Sequence, residues 1–212
     1  MSILSSITTH ILDLLFPREG LERDISTLTL SQLAQKLTIV EQGGVLSLFT
    51  YRDPLIRHMI WMLKYKGDRR VARLFGEVLG SYLMEEAADH AAFHPEERLY
   101  IVPLPLSRRR ERERGFNQMV RVAEEMKRSG DFEIAPLLVR TRDTASQTSF
   151  KNRTERERNV VGAFAVTQGA LQENATVILI DDVVTTGSTL REARLALEDG
   201  GFTDVLCIAL AH

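Results

Sequence analysis

The chain has 212 residues, of which 44% are hydrophobic and 26% charged, and a net charge of −2. This length suits one domain with a hydrophobic core and a smaller appendage, and the composition is typical of soluble globular proteins. The near-neutral charge excludes a molecule that attracts nucleic acid over its whole surface, although basic residues cluster at 108–114 and 140–158. The single cysteine, Cys207, excludes an internal disulfide and an all-cysteine zinc site.

No segment approaches the ~20 consecutive apolar residues that a membrane-spanning helix needs. The N-terminus lacks a basic leading region and a small-residue cleavage site, so it is a poor signal peptide. We therefore expect a cytoplasmic protein without a membrane span. Cys207 lies in the apolar run 205–210, which predicts a small buried side chain and not a reactive thiol.

The first quarter of the chain carries no recognisable chemistry. Apolar residues at helical spacing predict an amphipathic helix over 1–16, closed by Pro17. Residues 17–50 are less regular, and their leucines indicate a short second helix. Our interpretation is a small N-terminal helical and irregular module over 1–50, followed by the main domain over 51–212.

The rest of the chain alternates helices with short hydrophobic strands. Helices are predicted near 54–65, 70–88, 116–128 and 188–199, and strands near 99–102, 134–140, 176–180 and 205–210. The polar stretch 141–159 has no clear period and indicates a long loop. Strands that are hydrophobic throughout are buried on both faces, so the pattern predicts an α/β fold with a mainly parallel sheet flanked by helices.

One segment, 177–190, combines the features of a ligand site. Four apolar residues lead into Asp181 and Asp182, then into a small hydroxyl-rich turn around Gly187, and then into a helix. In open α/β sheets, ligands bind outside the carboxyl ends of the strands, and the start of a helix suits a phosphate. Two adjacent carboxylates repel a bare phosphate and suit sugar hydroxyls or a hydrated metal. The segment therefore predicts a site for a sugar phosphate such as ribose 5-phosphate.

A purely structural interpretation of this segment also exists. Thr189 and Glu192 have the spacing of a helix-capping box, and an Asp-Asp pair after a strand is common in turns. Capping accounts for Thr189 and at most Ser188, and it leaves the acid pair unexplained. Two other phosphate-binding motifs, G-x-x-x-x-G-K-[ST] and G-x-G-x-x-G, are absent from the sequence.

The segment Ile178–Thr189 resembles the phosphoribosyl-pyrophosphate (PRPP) signature of type I phosphoribosyltransferases. A longer, ordered set of segments is similar to the ComF family of phosphoribosyltransferase-like proteins, and it covers roughly residues 51–211. The matching pieces are Tyr51–Leu55, Leu63–Gly67, Val102–Leu106, Arg114–Gln118, Gln147 with Arg156 and Asn159, and Gly162–Phe164.

The resemblance implies a type I phosphoribosyltransferase fold and roles for some of the residues. Asp181 and Asp182 would be the catalytic pair on the ribose hydroxyls. The residues that would enclose the ribose 5-phosphate are Asp181, Asp182, Val183, Val184, Thr185, Thr186, Gly187, Ser188 and Thr189. Those assigned to pyrophosphate are Lys64, Arg108, Arg109 and Arg110, and those assigned to a lid in the 141–159 loop are Gln147 and Arg156. Mg²⁺ would enter on the pyrophosphate of PRPP and not on protein ligands.

The sequence departs from the family at its N-terminus. ComF relatives begin with paired cysteines that indicate zinc, whereas the corresponding residues near Gly20 include no thiol, so no zinc is expected. Many type I proteins pair up, which makes a homodimer a further expectation. Two alternatives to an enzyme stay open: a regulatory module that binds PRPP without turnover, and an accessory protein in DNA uptake that binds single-stranded DNA.

The basic run 108–114 is consistent with a phosphate site, with binding of single-stranded DNA, or with a solvated helix face that has neither function. Its arginines suit pyrophosphate or another phosphate, and with Glu111 and Glu113 they equally suit a solvated helix face with i,i+4 ion pairs. Single-strand binders also use aromatic platforms, and in the sequence only Phe116 is close to this run. An alternative interpretation of Lys64 is a lysine at the end of a helix, where its charge complements the helix dipole.

Overall fold

The computed structural model describes residues 18–93, 98–130, 132–142, 160–167 and 175–212. The helix expected over 1–16 lies outside the described residues, as does most of the 141–159 loop with Gln147 and Arg156.

Helices and strands alternate along the described chain. The helices are α1 (Arg18–Thr27), α2 (Leu30–Ala34), α3 (Pro54–Trp61), α4 (Arg69–Phe93), α5 (Arg108–Arg114), α6 (Gln118–Ser129) and α7 (Ser188–Asp199), with a π-helical turn at Met62–Lys66. The strands are β1 (Val40–Gln42), β2 (Val45–Phe49), β3 (Arg98–Pro103), β4 (Glu133–Ile134), β5 (Leu138–Arg140), β6 (Phe164–Val166), β7 (Ala175–Val183) and β8 (Asp204–Ala211).

The main sheet has the strand order β1-β2-β8-β7-β3-β4. The β1–β2 pair is antiparallel, and every other neighbouring pair in this sheet is parallel. Ile180 of β7 lies opposite Pro103 of β3 and Ile208 of β8. Helices pack on both faces, so the expected α/β class with a mainly parallel, helix-flanked sheet is confirmed.

The alternation of side chains along β7 explains its continuous apolar sequence. Ile178 and Ile180 face a core cluster that α1 to α4 and α6 cover, whereas Val177 and Leu179 face the cluster under α7. Cys207 is buried in the second cluster, which confirms its interpretation as a small buried side chain.

The predicted strand over 134–140 is two separate strands. Strand β4 pairs with β3 in the main sheet, and β5 pairs with β6 in a separate antiparallel ribbon. Pro136 lies between them and has no N–H to donate to a ladder, so the chain leaves one sheet there and enters the other.

The hairpin β1–β2 belongs to the main sheet although it precedes residue 50. Its turn is formed by Gly43 and Gly44, whose φ angles of 62° and 75° match the two-residue turn preferred in hairpins. Strand β2 then pairs in parallel with β8. The division at residue 50 stays a prediction, and this hairpin is the part of the first 50 residues that shares the main sheet.

The order of the strands reverses at one position, which in open α/β sheets is where a crevice for ligands lies. From β3 the chain crosses to β4 on one side, and from β7 it crosses to β8 on the other side. Such a reversal between neighbouring parallel strands is where open α/β sheets bind ligands, outside the carboxyl ends of the strands. The segments that flank this point are those after Pro103 and after Val183.

Candidate functional site

The carboxylate of Asp182 is buried and fully engaged at the end of β7. Asp182 is 7% exposed. Its Oδ1 lies 2.7 Å from Lys64 Nζ, which comes from the π-helical turn, and its Oδ2 accepts a hydrogen bond from Gln118 Nε2 of α6. Arg114 Nη1 donates to Gln118 Oε1 at 2.8 Å and extends the network to α5. Lys64, which the sequence analysis assigned to pyrophosphate, therefore pairs with Asp182 in this structure.

Asp181 lies beside this network. Its Oδ1 accepts a hydrogen bond of 2.8 Å from the backbone N–H of Asp182. Burial, followed by the neighbouring charge of Asp182, raises the pKa of Asp181 to about 7, against the opposing effects of that hydrogen bond, Lys64 and Arg110. The side chain can therefore exchange a proton near neutral pH, unlike an ordinary carboxyl group.

The turn after β7 is held by its own side chains and by glycine. Gly187 adopts φ 71°, a left-handed conformation that glycine accepts at little cost, and it is the N-cap of α7. Thr186 Oγ1 and Ser188 Oγ are 2.9 Å apart, and the Thr186 carbonyl accepts a hydrogen bond from Arg191. Thr185–Thr189 thus form a compact turn that joins the acid pair to the start of α7.

The capping-box interpretation of Thr189 and Glu192 is wrong. Helix α7 begins at Ser188 with Gly187 as its N-cap and no side-chain cap bond. The carboxylate of Glu192 instead accepts a hydrogen bond from the backbone N–H of Gly162. Because Gly162 precedes β6, this contact joins the antiparallel ribbon to α7. A capping box of Thr189 and Glu192 therefore does not account for the residues of the loop.

The segment after β3 lies on the other side of the strand-order reversal from the acid pair. Leu104 N donates to the carbonyl of Ile180 at 2.9 Å, and the buried Ser107 caps α5 by accepting from Arg110 N. Of the three arginines assigned to pyrophosphate, Arg110 is half-buried and lowers the pKa of Asp181, whereas Arg108 and Arg109 are exposed. Arg109 also forms an i,i+4 ion pair with Glu113, so part of this run is a solvated helix face.

Sequence reasoning assigned no role to Gln118 and Arg191, and it considered Arg114 only as part of the basic run 108–114, although all three reach the site. Gln118 is 1% exposed, and the similarity of Arg114–Gln118 to the ComF family was the signal available for it in the sequence. Arg191 follows the loop by one helical turn, and side chains in a helix tilt toward its N-terminus. Its spacing from Gly187 was therefore a usable signal.

A cavity of about 90 Å³ adjoins the loop on the side of the β1–β2 hairpin. The residues that line it are Val40, Gln42, Gly43, Ser47, Val184, Thr185, Thr186, Gly187, Arg191 and His212. Its walls are thus the hairpin, the end of β8 and the turn after β7.

Carboxylate oxygens are the donors that Mg²⁺ prefers, so the acid pair has suitable chemistry for a hydrated ion. Lys64 and Gln118 already hold both oxygens of Asp182, which leaves Asp181 as the member of the pair able to meet such an ion. Within the described ranges, no three His, Cys, Asp or Glu side chains group as a metal site. None of the described helices is long and apolar enough to cross a membrane.

Aromatic and basic side chains contact one another in a row beside the Asp182 network, with Tyr65 the exposed ring, and we call this row the Trp61–Tyr65 surface. The rings of His58 and Trp61 stack with centroids 5.5 Å apart, and Trp61 and Tyr65 are 5.9 Å apart. Lys66 Nζ lies 5.6 Å from the Trp61 ring centre, and the Arg114 guanidinium lies 5.5 Å from that of Tyr65. The fold therefore brings aromatic rings to the basic run 108–114, where the sequence indicated only Phe116.

Comparison with curated proteins finds competence proteins. The chain is 31% identical to competence protein ComFC of Bacillus subtilis (strain 168) over 77% of this chain and 62% of the relative. It is 30% identical to ComFC of Streptococcus pneumoniae (strain ATCC BAA-255 / R6) over 78% and 67%, and 30% identical to DNA utilization protein YhgH of Shigella flexneri over 73% and 67%. The chain thus matches about three fifths to two thirds of the length of these relatives. No family model matches the chain.

Two solved structures are distantly similar. One is an allosteric regulatory enzyme of purine biosynthesis, with 17% identity and a TM-score of 0.41 over 71% of this chain and 30% of that chain. The other is a hypoxanthine phosphoribosyltransferase from Staphylococcus aureus, with 14% identity and a TM-score of 0.38 over 66% and 61%.

Proposed function

This chain belongs to the ComF family, and we propose that it binds PRPP and transfers the phosphoribosyl group to an acceptor with release of pyrophosphate. One observation carries the proposal. The acid pair and the Thr185–Thr189 loop follow β7, and the Arg110 segment follows β3, at the point where the order of the strands reverses. That point is where an open α/β sheet binds its ligand.

Each group of PRPP has a matching element in this arrangement. The 5-phosphate suits the Thr185–Thr189 loop, because the first turn of α7 presents backbone N–H donors and a positive dipole end. The ribose hydroxyls suit the Asp181 carboxylate. Arg110 is the basic side chain on the β3 side whose charge already acts on Asp181, and it suits the pyrophosphate.

The two aspartates then have different roles. Asp181 is the catalytic residue that meets the ribose, whereas Asp182 is a positioning residue that fixes the end of β7 through Lys64 and Gln118. A carboxyl group with a pKa near 7 is also suited to accept the proton of an incoming amine or other acceptor.

The proposed reaction is a displacement at the sugar carbon that bears pyrophosphate. The bond from that carbon to the pyrophosphate oxygen breaks, its electron pair leaves with pyrophosphate, and a bond to the acceptor forms. Bound on the pyrophosphate, Mg²⁺ would neutralise part of the charge on this leaving group. The chain contributes positioning and fixed charges, which lower the barrier most where water is excluded.

The test is calorimetric titration with PRPP and Mg²⁺ at pH 8. We expect the parent to bind and Asp181→Asn to bind at least tenfold more weakly. The matched control, Asp199→Asn, removes an exposed carboxylate at the end of α7 and is expected to bind as the parent does. Failure of the parent to bind under saturating Mg²⁺ would contradict the proposal. Binding without pyrophosphate release in the presence of candidate acceptors would favour a regulatory module.

A second candidate function rests on the Trp61–Tyr65 surface. Proteins that bind single-stranded nucleic acid without sequence preference combine stacked aromatic rings with basic side chains along the backbone path. Tyr65 is 62% exposed, and Arg114 and Lys66 flank the rings. The relative named DNA utilization protein fits a role of this kind. We infer that this surface binds single-stranded DNA.

Fluorescence anisotropy with a labelled oligothymidylate at two salt concentrations tests this second function. Loss of one stacking ring costs about 1–3 kcal/mol, so Tyr65→Ala should weaken binding at least fivefold. Leu195→Ala removes an exposed apolar side chain on α7, 47% exposed, and serves as the control. Equal binding by the two variants, or no binding by the parent, contradicts this function. The lid with Gln147 and Arg156, the cytoplasmic location and the homodimer stay predictions.

A further inference from the structure

Helix α6 contacts the Lys64–Asp182 ion pair from both of its sides. Gln118, the first residue of α6, donates a hydrogen bond to Asp182 Oδ2. Three residues later, Arg121 Nη1 donates to the carbonyl of Gly67, the residue that ends the π-helical turn carrying Lys64. Residues three apart lie on the same side of a helix. One face of α6 therefore holds both the carboxylate and the segment that supplies its cation.

Gly67 is a junction with no room for a side chain. It is buried and adopts φ 58°, and its N–H and that of Asp68 both donate to the carbonyl of Met62. A Cβ at Gly67 would lie 2.8 Å from the Phe116 ring and would overlap the guanidinium of Arg121. Both the left-handed backbone and the close approach of Arg121 thus require glycine at this position.

The Arg121 side chain is itself held in place. Its Cζ lies 3.9 Å from the centre of the Phe116 ring, within the range of a cation–π contact. Helix α6 in turn packs closely on α4 at Gly76, where an added Cβ would lie 2.8 Å from the carbonyl oxygen of Val122. The donor to Gly67 is therefore fixed both by its own stacking and by the position of its helix.

The contact at Gly67 matters because the turn before it is π-helical. Such stretches are rare, and a short one depends on support from its surroundings. Relaxation to regular α-helical bonding would turn side chains around the axis by up to about 100°, the angle between successive residues. Lys64 would then leave Asp182 Oδ1, from which its Nζ is now 2.7 Å away.

We propose that Arg121 is a positioning residue of the site, which holds the Gly67 carbonyl and thereby keeps Lys64 on Asp182. The inference rests on the proposed function for its ligand, because PRPP binding is the property that the position of Lys64 affects. Without the lysine, the charges of the two carboxylates are less well balanced and repel the phosphates of PRPP. Arg121 meets no substrate atom and acts only through Lys64.

The experiment is a double-mutant cycle on PRPP binding. PRPP with Mg²⁺ is titrated calorimetrically into the parent, Lys64→Met, Arg121→Met and the double variant, all under conditions in which each is folded. Arg121→Lys tests rescue, since lysine keeps a donor for the Gly67 carbonyl. Arg128→Met is the matched control, because Arg128 lies on the same helix and its exposed side chain pairs with Glu125. The free energy of unfolding in urea is measured for the same variants.

We expect Lys64→Met to weaken PRPP binding about tenfold and Arg121→Met about fivefold, through loss of the same nearby positive charge. Because Arg121 acts through Lys64, the double variant should bind within twofold of Lys64→Met. Arg121→Lys should recover most of the loss, and Arg128→Met should stay within twofold of the parent. An additive loss of about fiftyfold, or normal binding by Arg121→Met, would overturn the inference.

The cycle on unfolding separates this inference from the proposed function. If Arg121 supports the Lys64 contact, the loss of stability in the double variant is smaller than the sum of the two single losses. If the parent fails to bind PRPP, the proposed function is wrong, and the unfolding cycle alone decides whether Arg121 positions Lys64. Additive losses of stability would then contradict the inference.

A pair of glycine variants tests the same contact from its other side. Gly67→Ala and Gly162→Ala place an L side chain at similar φ angles, 58° and 66°, but the Cβ position at Gly162 is open. We expect Gly67→Ala to weaken PRPP binding as Arg121→Met does, because it displaces the guanidinium, and Gly162→Ala to stay within twofold of the parent. Equal effects of the two substitutions contradict the inference. If Gly67→Ala does not fold, the Arg121 variants decide the question.

Discussion

Lys64 Nζ lies 2.7 Å from Asp182 Oδ1 and joins the π-helical turn after α3 to the end of β7. The two side chains are 20% and 9% exposed, so the pair is largely shielded from water. Short π-helical stretches are rare and occur often at functional sites, because they redirect side chains away from the regular helical spacing. Here the stretch places a lysine under the acid pair, and the proposed site depends on this contact.

Replacement of Lys64 by Met should destabilise the protein by roughly 2–4 kcal/mol, because it leaves a buried carboxylate without its cation. The measurement is the free energy of unfolding in urea at pH 7. Lys66→Met is the matched control, since Lys66 pairs with Glu22 at 2.6 Å where the side chains are 42% and 38% exposed. Exposed pairs contribute about 0–1 kcal/mol, so equal losses in the two variants contradict the assignment.

The raised pKa of Asp181 predicts an unusual dependence of stability on pH. Because the folded state prefers the protonated carboxyl, this contribution to stability is fully present below the unfolded pKa near 4 and is lost as pH rises through about 7. Asn resembles the protonated group and keeps an oxygen for the Asp182 N–H. We expect Asp181→Asn to be more stable than the parent at pH 8, on the order of 2–4 kcal/mol, with a smaller difference at pH 4.5.

Urea unfolding of the parent, Asp181→Asn and Asp199→Asn at both pH values gives the comparison. The Asp199 variant controls for the loss of a negative charge as such, because its carboxylate is exposed at the end of α7. A difference between parent and Asp181→Asn that stays constant from pH 4.5 to 8 would show that Asp181 titrates normally.

Much of the fold and part of the site follow from local patterns in the sequence. The apolar runs around Ile178 and Cys207 sufficed for two central strands, because residues buried on both faces leave a continuous hydrophobic signature. The acid pair and the loop around Gly187 were equally visible, since a strand, a turn and a helix adjoin in sequence.

Contacts between distant segments were not predictable in this way. Gln118 reaches Asp182 across 64 positions, and Tyr65 meets Arg114 only after α3 and α5 are positioned on the sheet. Arg191 meets Gly43 only because β2 pairs with β8. The local periodicity of these segments does not encode such pairs. The cation partner of Asp182 and the cavity depend on how the fold brings distant segments together.

The thiol of Cys207 should be inert while the protein is folded. Burial raises its pKa to about 11, so the reactive thiolate is scarce at neutral pH, and the surrounding core blocks access. Titration with an aromatic disulfide reagent at pH 8 should detect no thiol in the native protein and one thiol in guanidinium. Rapid native reaction would contradict the burial of the second core cluster.

Gly187 and Gly20 should respond to the same substitution with opposite signs. Gly187→Ala forces an L side chain into a left-handed conformation at φ 71°, which costs about 1–2 kcal/mol, although its Cβ would meet Val45 only at an ordinary 3.5 Å. Gly20 lies in helix α1 with open space around its Cβ position, so Gly20→Ala should stabilise the protein by about 0.5–1 kcal/mol.

Thermal or urea unfolding of both variants shows which substitution destabilises the protein and which stabilises it. Titration with PRPP and Mg²⁺ adds a measurement of ligand binding. Because Gly187 is the N-cap at the centre of the proposed phosphate loop, its variant should also bind PRPP more weakly, whereas Gly20→Ala should bind as the parent does. If Gly187→Ala is destabilised but binds PRPP normally, the backbone of this turn holds the fold together without contacting the phosphate, and the ligand has to be sought at another part of the crevice.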